Sequence, residues 1–148
     1  MPDPQETQDT NEIIMQLRYL QNLYTQQYEN LENNIATYTM TNTSVQRNLE
    51  LLEKSKLVEG KNIMVSGEAG AYIPARIAKV DQVLTYIGGG YLIENTVEKA
   101  IDFLKENRKR GEEILSKLIA EKLKVEKDLF DIQYRLNAVQ YKSQAQQK

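Results

Sequence analysis

Residues able to carry enzymatic chemistry are sparse in this chain of 148 residues, which contains neither cysteine nor histidine. The missing histidine removes the commonest general base and metal ligand, and the missing cysteine excludes disulfides and thiolate zinc sites. Gly88–Gly90 is glycine-rich, but no Lys-Ser/Thr pair follows it as a phosphate-binding loop requires. Carboxylates such as Glu112, Glu113, Asp128 and Asp131 fall in helix-patterned sequence, where solvated acidic faces are expected. The sequence therefore predicts a non-enzymatic protein without cofactor or metal.

Charge argues against nucleic acid as a partner, because the formal net charge is −2 and nucleic-acid binders usually carry a basic face. The basic cluster Arg108–Arg110 is expected to be a solvated helix face, with a contact to nucleic acid or to a chaperonin as the alternative. The N-terminus has neither the basic region nor the apolar stretch of a signal peptide, and no apolar run is long enough to span a membrane. We expect a cytoplasmic protein without a membrane partner.

Two arms with apolar residues at alternating steps of three and four flank a shorter central segment. The first arm shows one pair of consecutive four-residue steps around Tyr24, which predicts a local unwinding of a supercoil. Its seam, the row of positions facing a partner helix, is Ile13, Leu17, Leu20, Tyr24, Tyr28, Leu31, Ile35, Tyr38, Asn42, Val45, Leu49, Leu52 and Lys56. The second seam is Val97, Ile101, Leu104, Arg108, Gly111, Leu115, Leu118, Lys122, Val125, Leu129, Ile132, Leu136 and Val139. Two such seams joined by a turn-rich insert predict an antiparallel coiled-coil hairpin.

The central segment changes to short β-prone runs, separated by glycine and polar residues. Residues 63–65, 71–77, 83–87 and 91–93 predict four strands arranged as two hairpins. Pro74 has no amide hydrogen to donate, so its strand is predicted to be an edge or to carry a bulge there. The predicted fold is mostly α, with the hairpins joining the two long helices.

Boundaries follow from these patterns. We predict a disordered lead-in over 1–8, the first coiled-coil helix over 9–56, two hairpins over 57–94, the second helix over 95–142 and a flexible tail over 143–148. The threonine-rich stretch 37–44 has low helix propensity, but the seam runs through it and the helix is expected to continue.

Two isolated hairpins have open edges and too little area to form a core, so they favour association with other subunits. The apolar positions assigned to this oligomerisation are Val65, Tyr72, Ile73, Ile77, Ile87, Tyr91 and Ile93. Antiparallel pairing also places both chain ends at the end of the coiled coil far from the hairpins. Fraying at that end leaves apolar surface open to a partner, although a seam residue is commonly only a packing residue.

Segments 63–77 and 82–104 resemble the signature of α-class prefoldin subunits, and the architecture matches over about 10–142. The resemblance rests on Val65, Gly70, Tyr72, Ile73, Ile87, Gly88, Gly90, Tyr91, Ile93, Glu94 and Ala100. Ser66-Gly67-Glu68 departs from the proline, aliphatic residue and glycine that the family more often has at the first turn. β-class subunits have one hairpin, so two hairpins favour the α class.

The resemblance implies a hexamer of two α-type and four β-type subunits, whose hairpins assemble into an intersubunit β-barrel. It implies an ATP-independent co-chaperone that holds unfolded polypeptides at the coiled-coil ends and passes them to a group II chaperonin. The residues it would assign to client binding are Ile13, Ile14, Leu17, Leu20, Leu136, Val139 and Tyr141. A structural coiled-coil adaptor without client binding is the alternative that the sequence leaves open.

Overall fold

A computed structural model of the chain describes residues 4–145, with the side chains from Thr10 onward other than that of Ser143. Its elements are α1 (Pro4–Glu53), α2 (Ser55–Val58), β1 (Asn62–Ser66), β2 (Tyr72–Arg76), β3 (Gln82–Gly88), β4 (Tyr91–Thr96) and α3 (Val97–Ala145). The mostly helical fold with two small hairpins confirms the predicted fold class.

The chain divides into two compact units. The terminal unit combines α1 up to Thr39 with α3 from Ile114, and the central unit runs from Met40 to Glu113. α1 and α3 contribute to both units, whereas the hairpins belong to the central unit alone.

Helix α1 is longer at its start than the sequence pattern indicates, since it begins at Pro4 rather than at Asp9. Proline suits the first turn of a helix because the amide hydrogen it lacks has no intrahelical acceptor there. Residues 4–8 of the predicted lead-in are therefore helical, and residues 1–3 lie outside the described part. α1 ends at Glu53, three residues before the predicted end, and α2 follows after Lys54.

The threonine-rich stretch remains helical, as expected. Thr37 and Thr39 donate hydrogen bonds from their hydroxyls to the carbonyl oxygens of Asn33 and Ile35, at 2.9 and 2.7 Å. These bonds stay within the preceding turn, so the hydroxyls do not divert the backbone from its helical pattern.

The seam of α1 in the terminal unit differs from the prediction. The buried and half-buried positions are Thr10, Ile14, Leu17, Gln21, Tyr24, Tyr28, Leu31 and Ile35, which alternate steps of three and four without interruption. Ile13 and Leu20 are instead 46% and 39% exposed. The predicted double step around Tyr24 is thus wrong.

A glutamine in the seam explains this error. Gln21 is half-buried, and its Nε2 donates to Oε1 of Gln133 across the helix pair at 2.7 Å. Because Gln21 is polar, apolar spacing alone predicts its neighbour Leu20 at this seam position.

Every predicted seam position of α3, from Val97 to Val139, is buried or half-buried. The helix is capped by Thr96, whose hydroxyl oxygen accepts a hydrogen bond from the Lys99 amide at 3.3 Å, a usual N-cap contact. It starts two residues later than predicted because Asn95 and Thr96 still belong to β4. It continues to Ala145, and residues 146–148 of the predicted tail lie outside the described part.

The two long helices run antiparallel within each unit. In the terminal unit, Gln21 contacts Gln133 and Glu32 contacts Lys122. The central unit shows the same direction, because Gln46 bonds Arg108 at 2.7 Å while Glu53 pairs with Lys105 at 3.5 Å. In each unit the residue numbers rise along α1 while those of the contacted residues on α3 fall.

The hairpins form two separate two-stranded antiparallel sheets, β1–β2 and β3–β4. Val65 lies opposite Ile73 in the first sheet, and Thr85 opposite Ile93 in the second. The turn of the second hairpin needs glycine, since Gly88, Gly89 and Gly90 all have positive φ. The first ladder keeps its register past Pro74, so β2 is an edge strand rather than a bulged one.

Candidate functional site

The core of the terminal unit uses several residues that the sequence assigned to an exposed site. Leu17, Ile132 and Leu136 form one buried cluster, and Ile14, Tyr24 and Val139 pack against it. Leu17 and Leu136 are therefore inaccessible in this conformation, because each closes the seam between α1 and α3. Ile14 and Val139 are half-buried.

A second set of apolar residues in the same unit is exposed. Ile13, Leu20 and Tyr141 belong to the predicted site, and the remaining members were missed from the sequence. We call the exposed members that lie within residues 13–23 and 130–141 the terminal apolar surface: Ile13, Met15, Tyr19, Leu20, Leu23, Phe130, Tyr134 and Tyr141. Met15, Tyr19 and Leu23 recur at four-residue steps and so share one side of α1, as Phe130 and Tyr134 do on α3. That spacing outside the seam was the signal available in the sequence.

Exposure of these side chains is high. Phe130 is 71% exposed, Tyr134 70% and Tyr141 79%. Covering large exposed apolar groups with a partner is favourable, by about 25 cal/mol for each Å² removed from water. Tyrosine and methionine suit varied partners, since tyrosine combines an apolar ring with a hydroxyl and methionine is flexible and polarizable. A surface of this composition suits contact with apolar segments of differing sequence.

A charged contact lies at the edge of the seam of the terminal unit, where the half-buried Lys122 meets the exposed Glu32. Lys122 Nζ donates to Glu32 Oε1 at 2.7 Å and lies 4.8 Å from the centroid of the Tyr28 ring. The hydrogen bond and then the charge of Lys122 lower the pKa of Glu32, while the hydrogen bond to Glu32 chiefly raises the pKa of Lys122. This contact links α1 to α3 at Lys122, which is one of the seam positions of α3.

The hairpins form the second candidate surface. Of the residues predicted for oligomerisation, Ile77 is half-buried and the others are exposed: Val65, Tyr72, Ile73, Ile87, Tyr91 and Ile93. Every residue of β1 is exposed as well. We call the six exposed residues the hairpin surface.

A groove of about 470 Å³ adds to the candidate surfaces of the central unit. The second hairpin lines it with Leu84, Tyr86 and Leu92, while Leu51 and Leu104 line it from α1 and α3. Leu84, Leu92 and Leu51 are not among the residues that the sequence assigned to a seam or to oligomerisation. The lining is mostly apolar, with Thr41, Asn48, Thr85 and Asn107 as its polar members.

Neither a metal site nor a membrane span is found within the described part of the chain. No group of three or more acidic side chains comes together there as a metal site would require. Among the same residues, no helix is long and apolar enough to cross a membrane.

Comparison with known proteins decides the family. The sequence model of the family described as "Prefoldin subunit" matches residues 24–142, which include both hairpins and most of both long helices. The chain belongs to the prefoldin family. The resemblance inferred from residues 63–77 and 82–104 is thereby confirmed.

Archaeal and animal prefoldins are among the similar proteins. Prefoldin subunit alpha of Pyrococcus horikoshii is 25% identical over 134 residues, which cover 89% of this chain and 90% of that protein. Prefoldin subunit alpha of Methanococcoides burtonii is 30% identical over 75% of this chain and 78% of its own length. Human prefoldin subunit 5 is 36% identical over 62% of this chain, and the match spans only 60% of the human protein.

A solved structure supports the fold. A chain from the cryo-EM structure of filamentous PFD from Methanocaldococcus jannaschii superposes with a TM-score of 0.53, covering 82% of this chain and 95% of that one. The two sequences are 20% identical, so this likeness concerns the fold.

Family membership fixes the general role. Prefoldin subunits are chaperone components rather than enzymes, and they form multisubunit complexes with other prefoldin subunits. The chain spans about 60% of the length of the animal relatives it matches, so its own activity is a matter for proposal. The two exposed surfaces are the candidates for its contacts with clients and with other subunits.

Proposed function

We propose that this prefoldin is a subunit of a cytoplasmic, ATP-independent holdase that binds non-native polypeptides and delivers them to a group II chaperonin. The observation that carries the proposal is the terminal apolar surface, whose members stay exposed although a buried core lies beside them. A helix pair that served only as a tether would not need aromatic residues such as Phe130 and Tyr134 outside its seam.

Clients would bind to the exposed set rather than to the seam. Ile13, Leu20 and Tyr141 remain in the proposed site, together with the residues found in the structure, Met15, Tyr19, Leu23, Phe130 and Tyr134. Ile14 and Val139 would contribute through their partly exposed edges. Leu17 and Leu136 would act indirectly, by holding the two helices together.

Assembly would use the hairpin surface. A two-stranded sheet has unpaired backbone groups along both edges and is marginal in water alone. The exposed apolar residues of the two sheets, among them Ile73 on β2 and Tyr91 on β4, favour burial against another subunit. We propose a hexamer of two α-type and four β-type subunits, with the hairpins joined in an intersubunit β-barrel. Several client surfaces in one complex would then bind one polypeptide with avidity.

Aggregation of a denatured client tests the proposal. The protein is assembled with a β-type prefoldin subunit from the same source, and light scattering is followed as a chemically denatured enzyme is diluted into buffer without nucleotide. The assembled complex should suppress scattering, and added ATP should not increase the suppression. A complex of the expected mass that leaves scattering unchanged would indicate a structural adaptor instead.

A further inference from the structure

The first hairpin has little packing to hold it in place. Every residue of β1 is exposed, and in β2 only Ala75 is half-buried. A two-stranded hairpin without a core is marginal in water, so the position of this one depends on the contacts at its base.

A tight turn between α2 and β1 forms that base. Glu59 has φ −54° and ψ 135°, and Gly60 has φ +73°. The Lys61 amide donates to Val58 O at 3.1 Å and closes the turn. This is a type II turn, whose third residue needs a positive φ and is therefore commonly glycine.

The linker between the two hairpins, residues 77–81, starts on this turn. The Gly60 amide donates to Ile77 O at 2.8 Å, and the Ile77 amide donates to Lys61 O at 3.0 Å. Arg76, the last residue of β2, adds a hydrogen bond from its Nε to Gly60 O at 3.0 Å. The end of the first hairpin is thereby fixed to its beginning.

A side chain of the turn extends these contacts along the linker. Oε1 of Glu59 accepts a hydrogen bond from the Val80 amide at 2.9 Å, and both residues are half-buried. A hydrogen bond to an ionised acceptor is stronger than one between neutral groups. Val80 lies two residues before β3 begins at Gln82, so this carboxylate holds the chain close to the point where the second hairpin starts.

We propose that Glu59 is a positioning residue for assembly, which holds the Val80 amide and so keeps the two hairpins in the arrangement in which both meet other prefoldin subunits. This inference rests on the proposed assembly through the hairpins and names a residue that prepares the chain for it. Glu59 lies outside all four strands and outside the hairpin surface, so it acts through the linker. Hairpins that sampled other arrangements would be competent for binding only part of the time, and the apparent affinity would fall in proportion.

Two substitutions of Glu59 separate this role from a loss of charge. Glu59→Ala removes the acceptor, whereas the carboxamide oxygen in Glu59→Gln can still accept the hydrogen bond from Val80. The φ and ψ of residue 59 lie in a region open to all L-residues, so neither change strains the turn. Asp81→Ala is the matched control, because it removes an acidic side chain of the same linker whose ion pair with Lys79 is exposed.

Amide hydrogen exchange of the unassembled chain tests the contact itself. Exchange at Val80 should be about tenfold or more faster in E59A than in the wild type, and it should stay near the wild-type rate in E59Q and D81A. Circular dichroism should show the same helix content in all variants, since Glu59 lies outside both long helices. Equal exchange at Val80 in E59A and the wild type would overturn the inference.

Binding kinetics on an immobilised β-type prefoldin subunit test the consequence for assembly. E59A should associate about tenfold more slowly than the wild type and dissociate within about twofold of its rate, because only the competent arrangement binds. E59Q and D81A should associate as the wild type does.

The other outcomes identify what is wrong. Unchanged association of E59A, or the same change in E59A and E59Q, would overturn the positioning role. Faster dissociation of both Glu59 variants would show a direct interface contact in its place. Failure of the wild-type chain to bind any prefoldin subunit, itself included, would contradict the proposed assembly and with it any role of Glu59 in it.

Discussion

The carboxamide of Asn42 on α1 lies directly against Gly111 of α3. A Cβ atom built on Gly111 would lie 2.9 Å from Asn42 Cγ and 3.1 Å from its Nδ2, distances that side chains avoid. Gly111 is buried and occupies a seam position of α3, and Asn42 is half-buried. A polar residue in a seam can fix the register of two helices at some expense of stability. At residue 111 only glycine, which has no side chain, leaves room for the Asn42 carboxamide.

Gly111→Ala tests this relationship. Alanine in a helix interior normally stabilises by about 1 kcal/mol over glycine. Here the new methyl group would displace Asn42, so we expect G111A to lower the Tm measured by thermal unfolding of the purified protein. The double variant N42A/G111A removes the obstacle and should recover the helix propensity, giving a higher Tm than N42A alone.

A double-mutant cycle tests the coupling between Asn42 and Gly111 quantitatively. The free energies of unfolding should show that the effect of G111A changes sign between the wild-type background and the N42A background. The same stabilisation in both backgrounds would mean that the close approach has no energetic consequence.

The contact between Lys122 and Glu32 predicts a dependence on pH. The folded state lowers the pKa of Glu32 from 4.5, so the contact stabilises above that value and loses its contribution as pH falls through the lowered pKa. The folded state also raises the pKa of Lys122 from 10.5. The stabilisation by the contact is therefore present below pH 10.5 and is lost as pH rises through the raised pKa. The Tm difference between the wild type and E32Q should therefore be present at pH 7 and shrink below pH 4.5.

Salt and a neighbouring acid provide the controls for E32Q. The Tm difference should also decrease in about 1 M NaCl, where charges are screened within about 3 Å. Glu29→Gln, at an exposed position one turn away, should give little difference at either pH. A difference between wild type and E32Q that ignores both pH and salt would assign Glu32 a packing role only.

The partition between seam and surface predicts effects of very different size for two residues of α3. Leu136→Ala removes a buried side chain from the cluster with Leu17 and Ile132, and should lower the free energy of unfolding by about 2 kcal/mol or more. Tyr134→Ala removes an exposed side chain and should change it by about 0.5 kcal/mol or less. Chemical denaturation of both variants measures the two values, and similar losses would contradict the partition.

Polar substitution on the hairpin surface should affect assembly selectively. Ile73 and Leu123 are both 61% exposed, but Ile73 lies on β2 and Leu123 on α3 in the terminal unit. Ile73→Asp should release smaller species in size-exclusion chromatography with multi-angle light scattering, whereas Leu123→Asp should leave the mass of the complex unchanged. An intact complex with Ile73→Asp would argue that the first hairpin lies outside the assembly interface.

Much of the fold follows from periodicity, because the seam of α3 keeps its alternating steps of three and four even at the three non-apolar positions, Arg108, Gly111 and Lys122. The strands follow from glycine and β-branched residues, and the predicted bounds differ by at most one residue from those of the structure, except that β4 ends three residues later, at Thr96. The first seam was misplaced near its start because Gln21 is polar, and its partner Gln133 lies 112 residues away. A contact over that separation has no local signal.

The exposed surface was harder to predict than the fold. A search for seam positions selects residues that pack, so it chose Leu17 and Leu136, which are buried. Phe130 and Tyr134 lie outside the seam and were not considered, although their spacing of four places them on one side of the helix. Burial distinguishes a packing leucine from an exposed tyrosine, and burial depends on which helix face meets its partner.

Client binding by the terminal apolar surface is the central claim, and fluorescence anisotropy with a labelled, permanently unfolded polypeptide tests it most directly. Phe130→Ser with Tyr134→Ser is compared with Met40→Ser and Leu57→Ser, since these four residues are 71%, 70%, 73% and 69% exposed. The complex carrying the first pair should bind about tenfold more weakly than wild type, because avidity multiplies the loss at each subunit. The complex carrying the second pair should keep the wild-type Kd. Equal Kd values for the two variant complexes, at equal mass and stability, would contradict the claim.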